Sequence, residues 1–472
     1  MRMGTPAARW VLLATVLGSG VAFLDGTIVN VALPAIAKDL HASLADLQWV
    51  LDAYLVTLTA LVLLGGSLGD RFGRRRVFLF GLYGFTAGSV LCGIAPNVTM
   101  LIGARALQGV GAALLVPGSL AIISAVFDPE DRARAVGAWS GLAGVATAVG
   151  PFAGGWLIDA VSWRLAFFVN VPFAVAVVVA ARHVPETQSD ETEHLDLQGA
   201  AAASVGLAMA TYGLIESSTP AVVLGCLALV GFIVIEARSR TPMMPLSVFR
   251  NRQFSGANAT TLAVYAALSG AFFLLVVELQ VVLGYSALEA GSALLPVTFL
   301  MLTLSARAGA LAQRIGPRLP MAVGPLGVAA GLLMWTRVDA GSTYLGAVLP
   351  GAIVFGLGLS LTVAPLTATI MAAADEKHLG VASGINNAIA RLAGLLAVAL
   401  LPTLVGLDTA GAPGPLDTGV DKAMVVAAVL SIIGGAIAFA TVRTVVKVDT
   451  PTQVLVHPCG PPCLAEERPA AA

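Results

Sequence analysis

At 472 residues, 57% of them hydrophobic and only 11% charged, the chain has a mean hydropathy of +0.89 and a formal net charge of −1. A soluble domain carries roughly 25% charged residues, so a water-solvated fold is excluded and lipid must solvate most of the surface. Charges this few and this segregated also exclude a nucleic-acid partner, and four cysteines make no disulfide framework.

The chain starts with basic residues, an apolar run and an Ala35-Ile36-Ala37 triplet, the outline of a signal peptide. That run is about 22 residues, long for a signal core, and reads as a retained first helix. Apolar runs then succeed one another at 11–34, 47–69, 77–95, 98–127, 134–160, 163–182, 197–216, 220–236, 254–283, 287–313, 319–337, 343–372, 379–406 and 423–442. Most reach the ~20 residues a spanning helix needs, which predicts an all-α integral membrane protein of fourteen transmembrane helices. With the N-terminus inside, twenty of the 26 Lys and Arg fall on the cytoplasmic side. Only Lys38, Arg164, Arg337 and Lys422 fall outside, while Arg105 and Arg391 lie within helices. This bias places both termini in the cytoplasm.

Gly66-Ser67-Leu68-Gly69-Asp70-Arg71-Phe72-Gly73-Arg74-Arg75-Arg76 separates the second and third runs. It reads as a basic hinge whose glycines allow a tight reversal and whose arginines hold it inside. Gly66, Asp70, Arg71, Gly73 and Arg74 are its candidate gating residues, with Asp70 available to a cation on a neighbouring helix end. A weaker copy, Gly309-Ala310-Leu311-Ala312-Gln313-Arg314-Ile315-Gly316-Pro317-Arg318, repeats Gly, Leu, Arg, Gly and Arg in register, with Gln313 in place of Asp70. A repeated helix–basic turn–helix unit points to a transporter of two related halves.

These marks divide the chain into an amino-terminal six-helix bundle (1–185), an acidic cytoplasmic linker (186–196), two inserted helices (197–240), a carboxy-terminal six-helix bundle (241–445) and a disordered cytoplasmic tail (446–472). The linker reads as a solvated connector. The tail carries His457, Cys459 and Cys463, too few ligands in a proline-rich stretch to predict a metal site. No nucleophilic triad, phosphate-cradling loop with its lysine, or zinc-helix motif occurs, so the chain reads as a non-enzyme without cofactor, drawing energy from an ion gradient.

Four stretches carry a family resemblance that covers roughly residues 10–445. The hinge from Gly66 to Arg76 resembles the loop signature of the major facilitator superfamily. Leu24 to Pro34 (LDGTIVNVALP) resembles the first-helix signature of its fourteen-helix drug–proton antiporter branch. Arg105, Gln108, Gly109 and Gly111 resemble the fourth-helix signature, whose arginine is associated with proton transfer. Ala146 to Gly155 (ATAVGPFAGG) is similar to the fifth-helix signature of antiporters. The resemblance implies two six-helix bundles plus two inserted helices, and a monomeric proton-coupled multidrug exporter in the cytoplasmic membrane.

The residues support candidate roles of their own. A carboxylate inside a spanning helix is costly and by default functional, which singles out Asp25. At ~1.5 Å per residue, Asp25 lies roughly 20 Å from the inner face and Arg105 roughly 10 Å from the outer one. In a ~30 Å core these depths coincide, so the two can meet, as a proton-coupling pair or as a permanent brace. Asp52 is the other proton-coupling candidate and equally a substrate contact, or a residue wetted at the outer mouth. Tyr54, Gln108, Glu278, Gln280, Asn387 and Arg391 complete the candidate substrate contacts. Arg391 needs a polar partner, with Glu278, an asparagine or a carbonyl available. Gly150, Pro151, Gly154 and Gly155 form a small-residue seam suited to sealing one side of a cavity, or simply to close packing. The expected substrates are small lipophilic compounds, with cations favoured by the carboxylates, and the expected partners are protons and the lipid bilayer. A narrow exporter of one metabolite, lipid or self-made antibiotic is the alternative. A non-transporting receptor on the same fold fits the kept hinge and Asp25 less well.

Overall fold

The computed structural model describes residues 1–188, 196–239, 242–339, 341–373, 379–406 and 416–443, all helix and connecting turn with no strand among them. The expected tail, including His457, Cys459 and Cys463, and most of the acidic linker lie outside the described residues.

The first part of the chain forms α1 (Pro6–Leu40), α2 (Leu44–Phe72), α3 (Arg74–Gly93), α4 (Val98–Val126), α5 (Pro129–Ala160), α6 (Leu165–Phe168) and α7 (Asn170–Ala181). A pair follows, α8 (Leu197–Ile215) and α9 (Thr219–Arg238). The last part comprises α10 (Arg252–Val281), α11 (Ala287–Ala293), α12 (Leu295–Ile315), α13 (Arg318–Trp335), α14 (Leu349–Ala373), α15 (Leu379–Leu404) and α16 (Leu416–Thr441). Eleven helices among the described residues are long and apolar enough to cross a membrane. The helical stretches at 129–160, 165–181 and 197–215 match three further apolar runs without being among those eleven. Glycine and alanine are frequent in α5 and α8.

Helix packing follows residue size. Large apolar side chains such as Phe80, Leu227 and Phe299 are exposed, as on a surface that lipid covers, while small residues fill helix contacts. Within the first part α4 packs on α2 and α3, and α1 on α5 and α7. Within the last part α10 packs on α15 and α16, and α13 on α14 and α16. The parts meet where α15 lies against α2 and α11 against α5. Of the α8–α9 pair, α8 contacts both α2 and α15.

The basic hinge is tighter than its sequence suggests. Gly66 and Gly69 continue α2, and the reversal uses Gly73 alone, at φ 101°. Gly316, at φ 86°, makes the matching turn between α12 and α13. In each copy the last glycine occupies a backbone region that a side chain would strain.

Candidate functional site

Five helices converge on the Asp25 carboxylate. It accepts hydrogen bonds from Arg105 Nη1 at 2.6 Å, Gln108 Nε2 at 2.8 Å and Asn170 Nδ2 at 3.0 Å. Arg105 also donates through Nε to the Val50 carbonyl at 2.9 Å and through Nη1 to Gln108 Oε1 at 2.6 Å. Its guanidinium stacks 4.3 Å from the centroid of the Tyr54 ring. Ser89 Oγ accepts from both Gln108 and Asn170, and the Cys92 thiol donates to Gln108 Oε1. Asp25 is fully buried and Arg105 is 1% exposed. A charge pair this deep persists only when its remaining polar valences are filled, and this network fills them.

Asp25 and Arg105, at matching depths by helix rise, do meet. Tyr54 and Gln108, expected as substrate contacts, also touch this network. Ser89 and Asn170 were missed. Each is an isolated polar residue in an apolar run, and that is the signal that would have found them.

Asp52 occupies the opposite face of α2 from Val50 and Tyr54. It lies one turn from Gln48, which donates to the Val398 carbonyl of α15 at 2.7 Å. Trp49, three residues before Asp52, bonds Glu216 beyond the end of α8 at 3.1 Å. Val56, one turn after it, clusters with Leu207 of α8 and Leu395 of α15. Asp52 is thus set in the seam where α2, α8 and α15 meet. It is fully buried, and neither carboxylate oxygen has a hydrogen-bond partner among the described residues. This burial corrects the reading of Asp52 as a residue wetted at the outer mouth.

A cavity of about 660 Å³ lies between the two parts of the chain. From α1 it is lined by Thr27, Asn30 and Val31, and from α10 by Tyr265 and Phe272 among others. Its wall is apolar apart from hydroxyls and one amide, and no acidic side chain lines it. None of the seven candidate substrate contacts is among its lining residues. Gln280 donates to the Val31 carbonyl at 3.0 Å and so ties α10 to α1. Glu278 is buried near the same end of α10, and Asn387 is half-buried on α15. Arg391 reaches from α15 to α1, its guanidinium 5.4 Å from the Phe23 ring centroid.

The small-residue seam packs on both sides. A side chain at Gly150 or Gly154 would strike Thr27 or Ile28 of α1, and one at Gly155 would come 2.5 Å from the Ala287 carbonyl. Gly291 in turn abuts the Pro151 carbonyl. Asp159 then caps α11, accepting from the backbone of Ala287 at 3.1 Å and Leu288 at 2.8 Å. Every described hydrogen bond between residues 1–188 and 242–443 lies in the half of the bundle where α1 ends: these two, that of Gln280, and those of Gln48.

At the other end Asp70 pairs with Arg74, the first residue of α3, at 2.7 Å. The linker's first described residues, exposed at Glu186 and Gln188, also bond the hinge. Glu186 accepts from Arg75 N at 3.0 Å, the Thr187 carbonyl from Arg74 N at 3.0 Å, and Gln188 donates to the Arg71 carbonyl.

Comparison with known proteins follows the same lines. The profile of the Major Facilitator Superfamily matches residues 15–398. The tetracenomycin C resistance and export protein of Streptomyces glaucescens is 35% identical, the match covering 84% of this chain and 75% of that protein. The puromycin resistance protein pur8 of Streptomyces alboniger is 36% identical, over 84% of this chain and 82% of its own. The cephamycin export protein CmcT of Amycolatopsis lactamdurans is 33% identical, over 94% and 96%. Among solved structures, a bacterial homologue of the human lysosomal transporter Spinster, in an inward-facing and unoccupied conformation, superposes with a TM-score of 0.66. At 17% identity, over 93% of this chain and 98% of that one, it is a likeness of fold.

Proposed function

Because this multi-pass membrane chain belongs to the major facilitator superfamily, we propose that it is a proton-coupled exporter of lipophilic small molecules. It works by alternating access in the cytoplasmic membrane as a fourteen-helix monomer, with both termini on the cytoplasmic side and no bound cofactor. Two six-helix halves rock about the 660 Å³ cavity, and the α8–α9 pair is an insertion between them.

The observation that carries this reading is the double use of α1. One face presents Asp25 to Arg105, Gln108 and Asn170, while another presents Thr27 and Asn30 to the cavity. Protonating Asp25 removes the charge that holds Arg105, so a proton arriving there loosens α1 from α4 and moves the cavity wall with it. The arrangement closed at one end by Gln280, Asp159 and Gln48 is then the state open to the cytoplasm. Low-dielectric burial makes each of these charge changes large enough to drive such a switch.

The relatives named for resistance to or export of antibiotics support outward transport of such compounds. A preference for cations draws no support from the cavity wall, which has no acid, and needs Asp25 or Asp52 to become exposed in another state. Several relatives are named for one antibiotic each, which favours the narrow-specificity alternative as a second reading.

The test is uptake of a panel of fluorescent lipophilic compounds into everted membrane vesicles energised to an acid interior. Uptake that an uncoupler collapses is the expected result, and the number of compounds taken up separates a broad exporter from a narrow one. Accumulation that survives the uncoupler contradicts proton coupling.

A further inference from the structure

Arg391, inside α15, is a cation with no ion pair among the described residues. Asn386 of α15 donates to Asn258 and Thr261 of α10, and Gly394 lies beside Ser269 of α10 and Leu55 of α2. Arg391 falls between these two contacts, which puts it level with Tyr265 on α10 and Tyr54 on α2. Both phenols lie within its electrostatic reach. On the α1 side its guanidinium faces Phe23, whose ring meets that of Trp139 edge-on. The residue is only half-buried, so part of it stays accessible.

No carboxylate among the described residues lies within ion-pair distance of Arg391. Glu278, one of the partners the sequence offered it, stands thirteen residues beyond Tyr265 on α10, which is roughly 20 Å along the helix axis. Asp25, two residues after Phe23, is fully buried and engaged by Arg105, Gln108 and Asn170. Asn386 is spent on Asn258 and Thr261. A guanidinium at membrane depth without an anion is expensive, and a residue held there faces water or a ligand. Its planar fork of donors matches a carboxylate or an ionised phenol. Its aromatic surroundings match a flat ring system, and Tyr265 is shared with the apolar cavity.

We propose that Arg391, beside the cavity and joined to it through Tyr265, is an anion-binding residue and that the preferred substrates are aromatic acids, carrying a carboxylate or acidic phenol on an apolar ring body. The acid group pairs with Arg391 between Phe23, Tyr54 and Tyr265, and the ring body extends along Phe272 and Leu268 into the cavity. This inference rests on the exporter reading and names its substrate class.

The experiment measures binding to the purified full-length protein in nanodiscs, using three probes on one scaffold: anthraquinone-2-carboxylate, its neutral primary amide, and a trimethylammonium derivative. The wild type is expected to bind the carboxylate about tenfold or more tighter than the ammonium compound, the scale of one charge-assisted bidentate contact. Arg391→Gln is expected to abolish that preference, and Arg391→Lys to keep most of it, because Lys retains the charge without the fork. The melting temperature of each variant shows that it is folded, and Arg391→Lys carries the test if Arg391→Gln is not. A wild type that binds the ammonium compound as well as the carboxylate, or binds neither, overturns the proposal. So does an Arg391→Gln variant that keeps the preference. Proton-driven uptake of the same three probes into vesicles separates the two readings. Preferred export of the ammonium compound leaves the exporter standing and removes the acid-binding role. Binding of the acid with export of none of the three leaves Arg391 standing and removes the exporter.

Discussion

Arg105 donates to Asp25 at 2.6 Å from a position where neither side chain is more than 1% exposed. Removing one partner strands the other as a buried charge, a loss of about 3–5 kcal/mol in comparable pairs. Asp25→Ala is therefore expected to lower the melting temperature sharply. Asp25→Leu combined with Arg105→Leu is expected to recover much of it, while transport stays absent in both. Thermal unfolding of the detergent-solubilised variants checks this. Equal destabilisation by the single and double variants would show that the pair is not what holds these helices.

Asp52 behaves differently, because no hydrogen bond to it is lost on replacement. Asp52→Asn is isosteric and removes a buried ionisable group that lacks a partner. Its melting temperature is expected to stay within about 2 °C of wild type or to rise, since no cavity and no stranded charge result. Its pH profile of export is expected to shift, because the buried Asp52 carboxyl is gone from the seam of α2, α8 and α15. A profile superimposable on wild type would leave Asp52 a packing residue.

The hinge makes a comparison between two glycines of one motif. Gly66 lies inside α2 with its nearest obstacle, Pro117, 4.0 Å from an added Cβ, so Gly66→Ala is expected to be tolerated. Gly73 has φ 101°, and its Cβ would approach Glu186 Oε1 to 2.7 Å. Gly73→Ala is expected to cost about 1–3 kcal/mol in backbone strain and to slow transport. Transport rates of the two variants at equal protein level decide the point, and equal rates would contradict it.

Closure at the end where α1 finishes rests on α5 against α11. Gly155→Leu puts bulk against the Ala287 carbonyl, and Asp159→Ala removes the acceptor of the Ala287 and Leu288 N–H groups while the Ser286 cap of α11 stays, a change worth about 1 kcal/mol. Both are expected to lengthen the distance between spin labels attached on the α5 and α11 ends, measured by pulsed electron resonance. Unchanged distances would mean that other contacts hold this end shut.

Much of this was legible in the sequence for simple reasons. Helix rise is linear, so the depths of Asp25 and Arg105 could be compared before any fold was known. The repeated Gly-Leu-Arg-Gly-Arg spacing at 309–318 did mark a second hinge, and Gly316 turns the chain as Gly73 does. Other features depend on rotation and on distant contacts. Whether Asp52 faces α4 or the α8–α15 seam is a matter of about 100° of helix phase per residue, which an almost uniformly apolar helix does not reveal. Glu186 to Gln188 read as a polar connector, and only the fold shows that backbone groups of Arg71, Arg74 and Arg75 bond them. Thr27 and Asn30 stood in the quoted first-helix motif, but only their direction from α1 showed that they line the cavity.

The most direct test of the central claim is proton release induced by a transported compound in proteoliposomes, comparing wild type with Asp25→Asn. The account predicts that wild type exchanges protons for substrate. It predicts that Asp25→Asn, retaining the amide hydrogen bonds but not the charge, binds substrate without moving protons. Equal substrate movement by both proteins, without proton flow in either, would contradict coupling through Asp25 and leave its pair with Arg105 as a structural brace.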